Sequence, residues 1–203
     1  MHTFRWPGPA GDWVGEKGRG DQQVSELPSG HAPKSYFGRS VTGESPSSLR
    51  ILRADPGQAE PLSRISVLAK SHWGYAEDII ASWLPELTIT PESITTHPTF
   101  TALLNQVTIG FYQLDLPGPR STLGHLWVLP DYMGRGVGRA LLQHAMKHAG
   151  ETLLIDSDPY AEAFYIACGA TRVATIPAAI DGNPDRFLPR MELRLNHQLT
   201  GSQ

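Results

Sequence analysis

The pattern of apolar and polar positions divides the chain at about residue 49. Residues 1–48 contain 8 glycines and 5 prolines, and apolar positions are scarce among them. A segment of this composition buries too little apolar surface to offset the entropy lost on ordering. We therefore expect a flexible extension over residues 1–48, one folded domain over residues 49–196 and a tail over residues 197–203.

From Leu49 onward, short alternating segments typical of strands are interleaved with segments of helical spacing. Strands are predicted at "LRILRA", "TFTALL", "QVTIGFYQLDL", "STLGHLWVL", "TLLIDS", "TRVATI" and "RFLPRMELRL". Helices are predicted at "PGQAEPLSRISVLAKSHW", "GYAEDIIASWLPEL", "VGRALLQHA" and "DPYAEAFYIACG". We expect Pro85 to end the second helix and Gly169 to end the last. This mixture of elements predicts an α/β domain.

Strict alternation along "STLGHLWVL" would divide its side chains between the two faces of the sheet. One face is expected to carry Gly124, Leu126 and Val128, and the other Leu123, His125 and Trp127. The helix that follows has an apolar stripe suited to packing on a sheet. The stripe consists of Val137, Ala140, Leu141, His144 and Ala145.

A glycine-rich stretch separates this strand from its helix. Gly134, Gly136 and Gly138 combine backbone N–H groups at a helix N-terminus with the charges of two arginines, which suits a pyrophosphate. The dinucleotide fingerprint G-x-G-x-x-G fails, because its third glycine would fall at Arg139 or Leu141. The stretch also lacks the lysine followed by Ser or Thr of a P-loop. The alternatives left open are an anion site and a glycine-rich turn without a ligand.

The residues around this stretch resemble a known family. "HLWVLPDYMGRGVGRALLQHA" resembles motif A of the GNAT superfamily of acyl-CoA-dependent N-acyltransferases, with the signature [QR]-x-x-G-x-[GA] at residues 133–138. "SDPYAEAFYIACGA" resembles its motif B, and "AKSHWGY" resembles a loop of one bacterial subgroup. The resemblance covers about residues 49–195. Met133 departs from it, since the family usually has Gln or Arg there.

The resemblance implies a fold and a cofactor. The expected fold is a mixed central sheet of about six to seven strands flanked by about four helices. Two central parallel strands, ending at Val128 and Ser157, should splay apart in a V. Acetyl-CoA would be the co-substrate, with no metal. Its contacts would be made by Leu126, Trp127, Val128, Gly134, Arg135, Gly136, Val137, Gly138, Arg139 and Asp158.

Candidate catalytic residues are Tyr165 and His125. By resemblance, the Tyr165 phenol faces the CoA sulfur and protonates the leaving thiolate, although a tyrosine that only packs is the alternative. His125 is a candidate general base, because an unperturbed imidazole titrates near pH 6.5. Glu77 and Asp78 are alternatives that could act through water. His144 and His148 have zinc-like spacing without a third ligand, which favours a packed or CoA-adjacent helix face.

The resemblance also implies an acceptor cleft, lined here by His72, Trp73 and Tyr75 of "SHWGY" together with residues 178–190. The two aromatic side chains could stack on a flat or cationic amine. The alternative is an aromatic latch between two helices.

Composition narrows the functional classes. The chain is 40% hydrophobic and 18% charged, with a net charge of −3 and one cysteine. We therefore expect a cytoplasmic protein with no membrane or nucleic-acid partner, and a homodimer is left open. The expected function is acetyl-CoA-dependent N-acetylation of a primary amine of a small molecule, by direct transfer in a ternary complex. The alternatives are a protein or peptide Nα-acetyltransferase and a non-catalytic acyl-CoA-binding regulatory module.

Overall fold

The computed structural model describes residues 49–116 and 119–195, so the predicted extension and C-terminal tail lie outside the described residues. In the described part, seven strands form one sheet in the order β1-β2-β3-β4-β5-β7-β6. The strands are β1 (Arg50–Arg53), β2 (Thr99–Leu104), β3 (Val107–Asp115), β4 (Arg120–Val128), β5 (Thr152–Asp156), β6 (Thr171–Pro177) and β7 (Phe187–Arg194). Each corresponds to a predicted strand.

The helices are α1 (Ala59–Ser71), α2 (Glu77–Ser82), α3 (Leu84–Leu87), α4 (Pro91–Thr96), α5 (Val137–Met146) and α6 (Glu162–Ala167). Gly169, with φ +94°, follows α6 as predicted. The expectation for Pro85 was wrong, because α2 ends at Ser82 and Pro85 lies in the first turn of α3. Proline is tolerated there, since a first-turn N–H needs no helical partner. No helix of the described ranges has the length and apolarity to cross a membrane.

Helix α4 was not predicted, although its start has a clear local signal. The Thr90 side chain accepts a hydrogen bond from the Ser93 amide, and the Ser93 side chain accepts one from the Thr90 amide. Pro91 occupies the first turn. This reciprocal capping and the proline nucleate a short helix that apolar periodicity alone does not reveal.

The predicted V-shaped splay is confirmed. Strands β4 and β5 run parallel, whereas the other neighbouring strands of the described sheet pair antiparallel. Their register runs from Arg120 opposite Thr152 to Thr122 opposite Leu154, and the two strands do not pair beyond that point. The second half of β4 is therefore paired with β3 on one side and leaves a gap on the side of β5.

A β-bulge changes which β4 residues share a face. Gln113 of β3 pairs with His125 and the next residue, Leu114, pairs with Leu123, so Gly124 has no partner in the ladder. The extra residue breaks the alternation of side chains. Leu123 therefore packs in the same core cluster as Val128, and its predicted place on the face of His125 was wrong.

Two apolar cores cover the faces of the sheet. The main core joins the sheet to α5 and α6, and its buried members include Tyr112, Leu141, Leu153 and Met191. The second core joins the sheet to α1 and α4, and it contains Leu62, Ile65, Ile94 and Phe111. The α5 stripe packs as predicted, with Val137, Leu141 and Ala145 buried. Each fully buried large aliphatic side chain contributes about 1.5–3 kcal/mol to the free energy of unfolding. Because one core lies on each face of the sheet, β4 is packed from both sides.

Gly110 of β3 sets how closely β3 and α5 approach β4. A Cβ at this position would lie 2.7 Å from the Trp127 carbonyl oxygen and 3.2 Å from a Leu141 methyl group. We predict that Gly110→Ala lowers the free energy of unfolding by about 1–3 kcal/mol, because backbone must shift. Urea unfolding measures the change. Gly124→Ala is the matched control, since its Cβ would meet its nearest neighbour at 3.8 Å. Equal stability of the two variants would contradict the packing argument.

Candidate functional site

A cavity of about 480 Å³ occupies the gap between the splayed strands. It runs from the second half of β4 and the end of β5 to the N-terminus of α5 and the side of α6. Eight of the predicted cofactor residues line it: Leu126, Trp127, Val128, Gly134, Gly136, Gly138, Arg139 and Asp158. Tyr165 and Trp73, predicted for catalysis and for the acceptor, also line it.

The turn into α5 suits an anion. Gly134 and Gly136 have φ of +71° and +84°, a left-handed conformation that glycine adopts without strain. Gly136 is the N-terminal cap of α5, and the Ala140 amide is the one that donates to its carbonyl. The amides of residues 137–139 precede that bond and have no partner inside the helix. A valine at position 136 would be strained whatever the ligand, so that substitution does not isolate the anion site.

The two motif arginines differ in position. Arg139 lines the cavity, and its guanidinium donates to the Ala167 carbonyl of α6 over 3.3 Å. The Arg135 guanidinium instead lies 5.7 Å from the centre of the Tyr132 ring. Arg135 and the buried Val137 are the two predicted cofactor residues that do not line the cavity. Met133 lines it with an apolar side chain, so charge in this part of the cavity comes from Arg139.

Tyr165 lies where α6 meets the cavity. Its side chain packs in the main core and the residue is 6% exposed. Burial raises the pKa of its phenol well above the ordinary value, so the hydroxyl keeps its proton at neutral pH. Gly138 of α5 approaches the neighbouring Phe164, whose ring would lie 3.4 Å from an added Cβ. This close approach positions α6, and with it Tyr165, beside the α5 N-terminus.

His125 does not line the cavity. The Trp127 indole N–H donates to its Nδ1 over 3.1 Å, which places the imidazole proton on Nε2. Burial lowers the pKa of His125 to about 4, so the ring is neutral at physiological pH. Its basic nitrogen already has a donor, and the geometry therefore gives no support to the prediction that His125 is the general base.

Glu77, Asp78, His144 and His148 also lie away from the cavity lining. The two acids stand in the first turn of α2, where acids are favoured. The two histidines stack on each other, with ring centres 4.6 Å apart, and His144 Nδ1 lies 2.8 Å from the Tyr112 hydroxyl. The described residues contain no group of three or more His, Cys, Asp or Glu placed to hold a metal ion.

The predicted acceptor residues separate in the structure. Trp73 lines the cavity and stacks on Tyr160, with ring centres 5.6 Å apart and planes 5° apart. His72 packs edge-on against Trp73 and does not line the cavity. Tyr75 also lies behind the lining, where its ring contacts Trp83 and Tyr160 edge-on.

Asp158 connects the cavity lining to a buried charged group that we call the Asp158 cluster: Lys70, Tyr75, Trp83, Asp158 and Arg186. Asp158 pairs with Lys70 and accepts hydrogen bonds from the Tyr75 hydroxyl at 3.0 and 3.1 Å. The Arg186 guanidinium lies 3.6 Å from the same carboxylate. Burial raises the pKa of Tyr75 to about 12 and lowers that of Lys70. The Asp158 side chain is therefore occupied by protein donors, which disfavours its predicted role as a cofactor contact.

The cluster also disfavours the prediction that Tyr75 stacks on the acceptor. The Lys70 ammonium lies 4.9 Å from the Tyr75 ring centre and 4.4 Å from that of Trp83. The Arg186 guanidinium lies 5.6 and 5.0 Å from the same two centres. The protein's own cations thus use the ring faces that a cationic amine would need.

The sequence reasoning did not single out Lys70, Tyr160 or Arg186, although Arg186 lies within the predicted acceptor segment 178–190. Lys70 lies in "AKSHWGY" and Tyr160 in "SDPYAEAFYIACGA". Their polar and aromatic side chains within these segments were therefore a signal available from sequence. Arg186 has no such signal, because it comes just before β7 and reaches Asp158 only through the pairing of β7 with β5.

The pKa of His125 predicts a pH effect on stability. An unfolded histidine titrates near pH 6.5, whereas the pKa of folded His125 is about 4. The contribution of His125 to the free energy of unfolding is therefore complete above pH 6.5 and is lost as the pH falls toward 4. We predict that His125→Asn, which keeps an acceptor for Trp127, removes on the order of 2 kcal/mol of this loss at pH 5. Urea unfolding of both proteins at pH 7 and pH 5 measures it. The same loss in wild type and variant would contradict a buried neutral imidazole.

Comparisons with known proteins agree with this geometry. Residues 96–169 match the family model of the acetyltransferase (GNAT) domain. No curated protein matches the sequence. The chain is similar to the PaiA N-acetyltransferase of Thermoplasma acidophilum, solved in complex with coenzyme A, at 20% identity over 72% of this chain and 99% of that one, with a TM-score of 0.57.

Two further solved structures are similar. One is a GCN5-related N-acetyltransferase from Rhodopseudomonas palustris, at 24% identity, 77% and 100% coverage and a TM-score of 0.60. The other is yncA of Salmonella typhimurium, solved with its cofactor acetyl-CoA, at 18% identity, 77% and 99% coverage and a TM-score of 0.55. At these identities the likeness establishes the fold. Residues 96–169 thus match the acetyltransferase (GNAT) domain model, and the described chain has the GNAT fold.

Proposed function

We propose that this protein is an acetyl-CoA-dependent N-acetyltransferase that moves an acetyl group to a primary amine of a small molecule. The observation that carries the proposal is the continuous cavity from the splayed strands to the N-terminus of α5. Two proteins of the same fold were solved with coenzyme A or acetyl-CoA, which supports the same class of ligand here. A single cysteine favours a reducing compartment, and we place the reaction in the cytoplasm.

The pyrophosphate and the pantetheine arm of acetyl-CoA would find suitable groups along this cavity. The pyrophosphate would take the first-turn amides of α5 and the charge of Arg139. The pantetheine arm is extended and carries amides, and the backbone of residues 126–128 has no β5 partner on the side of the gap. An extended ligand can therefore hydrogen-bond to β4 as an additional strand would.

The transfer needs few protein groups. The amine nitrogen attacks the thioester carbonyl carbon, the carbon–sulfur bond breaks, and the sulfur leaves as a thiolate. Tyr165 would give its phenolic proton to that thiolate. The phenolate left on Tyr165 then regains a proton from solvent, because burial raises its pKa and makes the neutral phenol the stable form.

The proton lost by the amine has a different destination. Asp156 lines the cavity, but Arg190 binds its carboxylate through two hydrogen bonds of 2.7 and 2.8 Å. His125 is neutral, with its acceptor nitrogen already occupied. We propose that the amine releases this proton to solvent through the open side of the cavity, which is bordered by the exposed Tyr160.

A thiol-release assay tests the proposed function. Purified protein is incubated with acetyl-CoA and, separately, with a panel of small primary amines and a panel of peptides with free N-termini. Thiol release with small amines is the expected result. Release with peptides alone would identify an Nα-acetyltransferase, and coenzyme A binding without release from any amine would identify a non-catalytic binding module. Either result would contradict the proposal.

Arg139 tests the anion site. We predict that Arg139→Gln weakens coenzyme A binding by about tenfold or more, because a charge-assisted contact to phosphate is lost. Titration calorimetry measures the affinity. Arg194→Gln is the charge-matched control. The Arg194 side chain is 84% exposed, and its position in β7 is opposite Thr152 at the start of β5, away from the cavity. An unchanged affinity in Arg139→Gln would exclude Arg139 from the phosphate site.

Tyr165 tests the chemistry. Tyr165→Phe keeps the ring, so packing changes little while the proton donor is removed. We predict that kcat falls by about 10² to 10⁴ and that KM for acetyl-CoA changes much less, since the phosphate and backbone contacts remain. Steady-state kinetics with the best amine of the panel measures both. A kcat close to that of the wild type would show that the thiolate leaves without help from Tyr165.

A further inference from the structure

The Asp158 cluster holds an excess of positive charge in a buried place. The side chains of Lys70, Asp158 and Arg186 are 10%, 9% and 8% exposed. The cluster therefore contains two cations and one carboxylate. Buried charges are normally matched one for one, because an unpaired charge away from water is costly.

No other acid of the described residues forms an ion pair with Lys70 or Arg186 and so balances the second cation. Asp158 is the acid that forms ion pairs with Lys70 and Arg186. Asp156, two residues before Asp158, is paired with Arg190, and Asp185, next to Arg186 in the sequence, is exposed and forms no ion pair with either cation. Within the residues that the structure describes, the cluster thus carries one uncompensated positive charge when Lys70 is protonated.

Arg186 also has an unused hydrogen-bond donor. Its Nη1 donates to the Ala178 carbonyl over 3.0 Å, and its Nη2 faces Asp158. Its Nε is buried and has no hydrogen-bond partner. An unpaired buried donor is uncommon in folded proteins and marks a place where an acceptor is missing.

The cluster borders the acceptor side of the cavity. Asp158 lines the cavity together with Trp73 and Tyr160. Arg186 ends the connection between β6 and β7, which lies against Asp158. The excess charge and the unused donor are therefore next to the place where an amine would approach the end of β5.

We propose that Lys70 and Arg186 select an acceptor that carries a carboxylate close to its amine, as an amino acid does. This inference rests on the proposed function and names the substrate class of the same site. The carboxylate would supply the missing negative charge and an acceptor for the unpartnered Arg186 Nε. Acceptors with a second positive charge are disfavoured, because the cations already occupy the faces of Tyr75 and Trp83.

The test compares amino acids with their C-terminal amides, which keep the amine and the side chain but lack the negative charge. The amino acids used are alanine, phenylalanine, glutamate and lysine, and each is compared with its own C-terminal amide. With acetyl-CoA present, thiol release gives kcat/KM for each member. With coenzyme A in place of acetyl-CoA, the shift of the unfolding temperature reports binding without turnover. The second readout separates this inference from the proposed function.

We expect at least one pair in which the amino acid exceeds its amide tenfold or more in kcat/KM and gives the larger rise in unfolding temperature. Arg186→Gln should remove the preference and Arg186→Lys should retain part of it. Arg172→Gln is the matched control on the same hairpin, since its exposed guanidinium pairs with Glu162, and it should keep the preference.

Three results would overturn the inference. One is equal values for amino acid and amide in every pair. Another is a preference that survives in Arg186→Gln. The third is that none of the amino acids shifts the unfolding temperature. This measurement uses the wild-type protein and needs neither a variant nor turnover. A carboxylate-dependent shift without thiol release would support the inference and contradict the proposed function.

Discussion

The parallel strands β4 and β5 are hydrogen-bonded over only three residue pairs, and the rest of the site depends on their separation beyond that point. Backbone amides and carbonyls inside a sheet need partners. Where β5 departs, the second half of β4 keeps β3 on one side and opens a gap on the other. The bulge at Gly124 occurs at the same level and redirects the β4 side chains, so that Val128 packs in the core beside α5. The cavity is thus a consequence of how the sheet is built.

The charged groups near the two ends of this cavity differ in number and in burial. At one end, the first turn of α5 and Arg139 offer donors to an anion without enclosing it. At the other, Lys70 and Arg186 are buried around a single carboxylate, with their charges held against aromatic rings. Between them, the ionisable groups are kept neutral or paired. Tyr165 retains its phenolic proton, His125 behind the cavity lining is a neutral imidazole, and Asp156 is bound by Arg190.

Much of this architecture could be predicted from sequence, because its signals are local. The seven strands follow alternation and apolar runs, and the α5 entry follows from three glycines in five positions. The failures were not local. Pro85 begins a helix instead of ending one, and nothing in "STLGHLWVL" marks Gly124 as the bulged residue, since the partner strand determines the register. His125 looked like a base until the fold placed Trp127 on its acceptor nitrogen. Asp158 and Arg186 meet only because β7 returns beside β5.

The central claim is that the gap between β4 and β5 binds coenzyme A through backbone groups. Amide hydrogen exchange, followed by mass spectrometry with and without coenzyme A, tests it most directly. The account predicts slower exchange in peptides that cover residues 126–139, at the second half of β4 and the first turn of α5, with little change in β1 and β2. Unchanged exchange across residues 126–139 in protein saturated with coenzyme A would contradict the account, whatever the protein's activity.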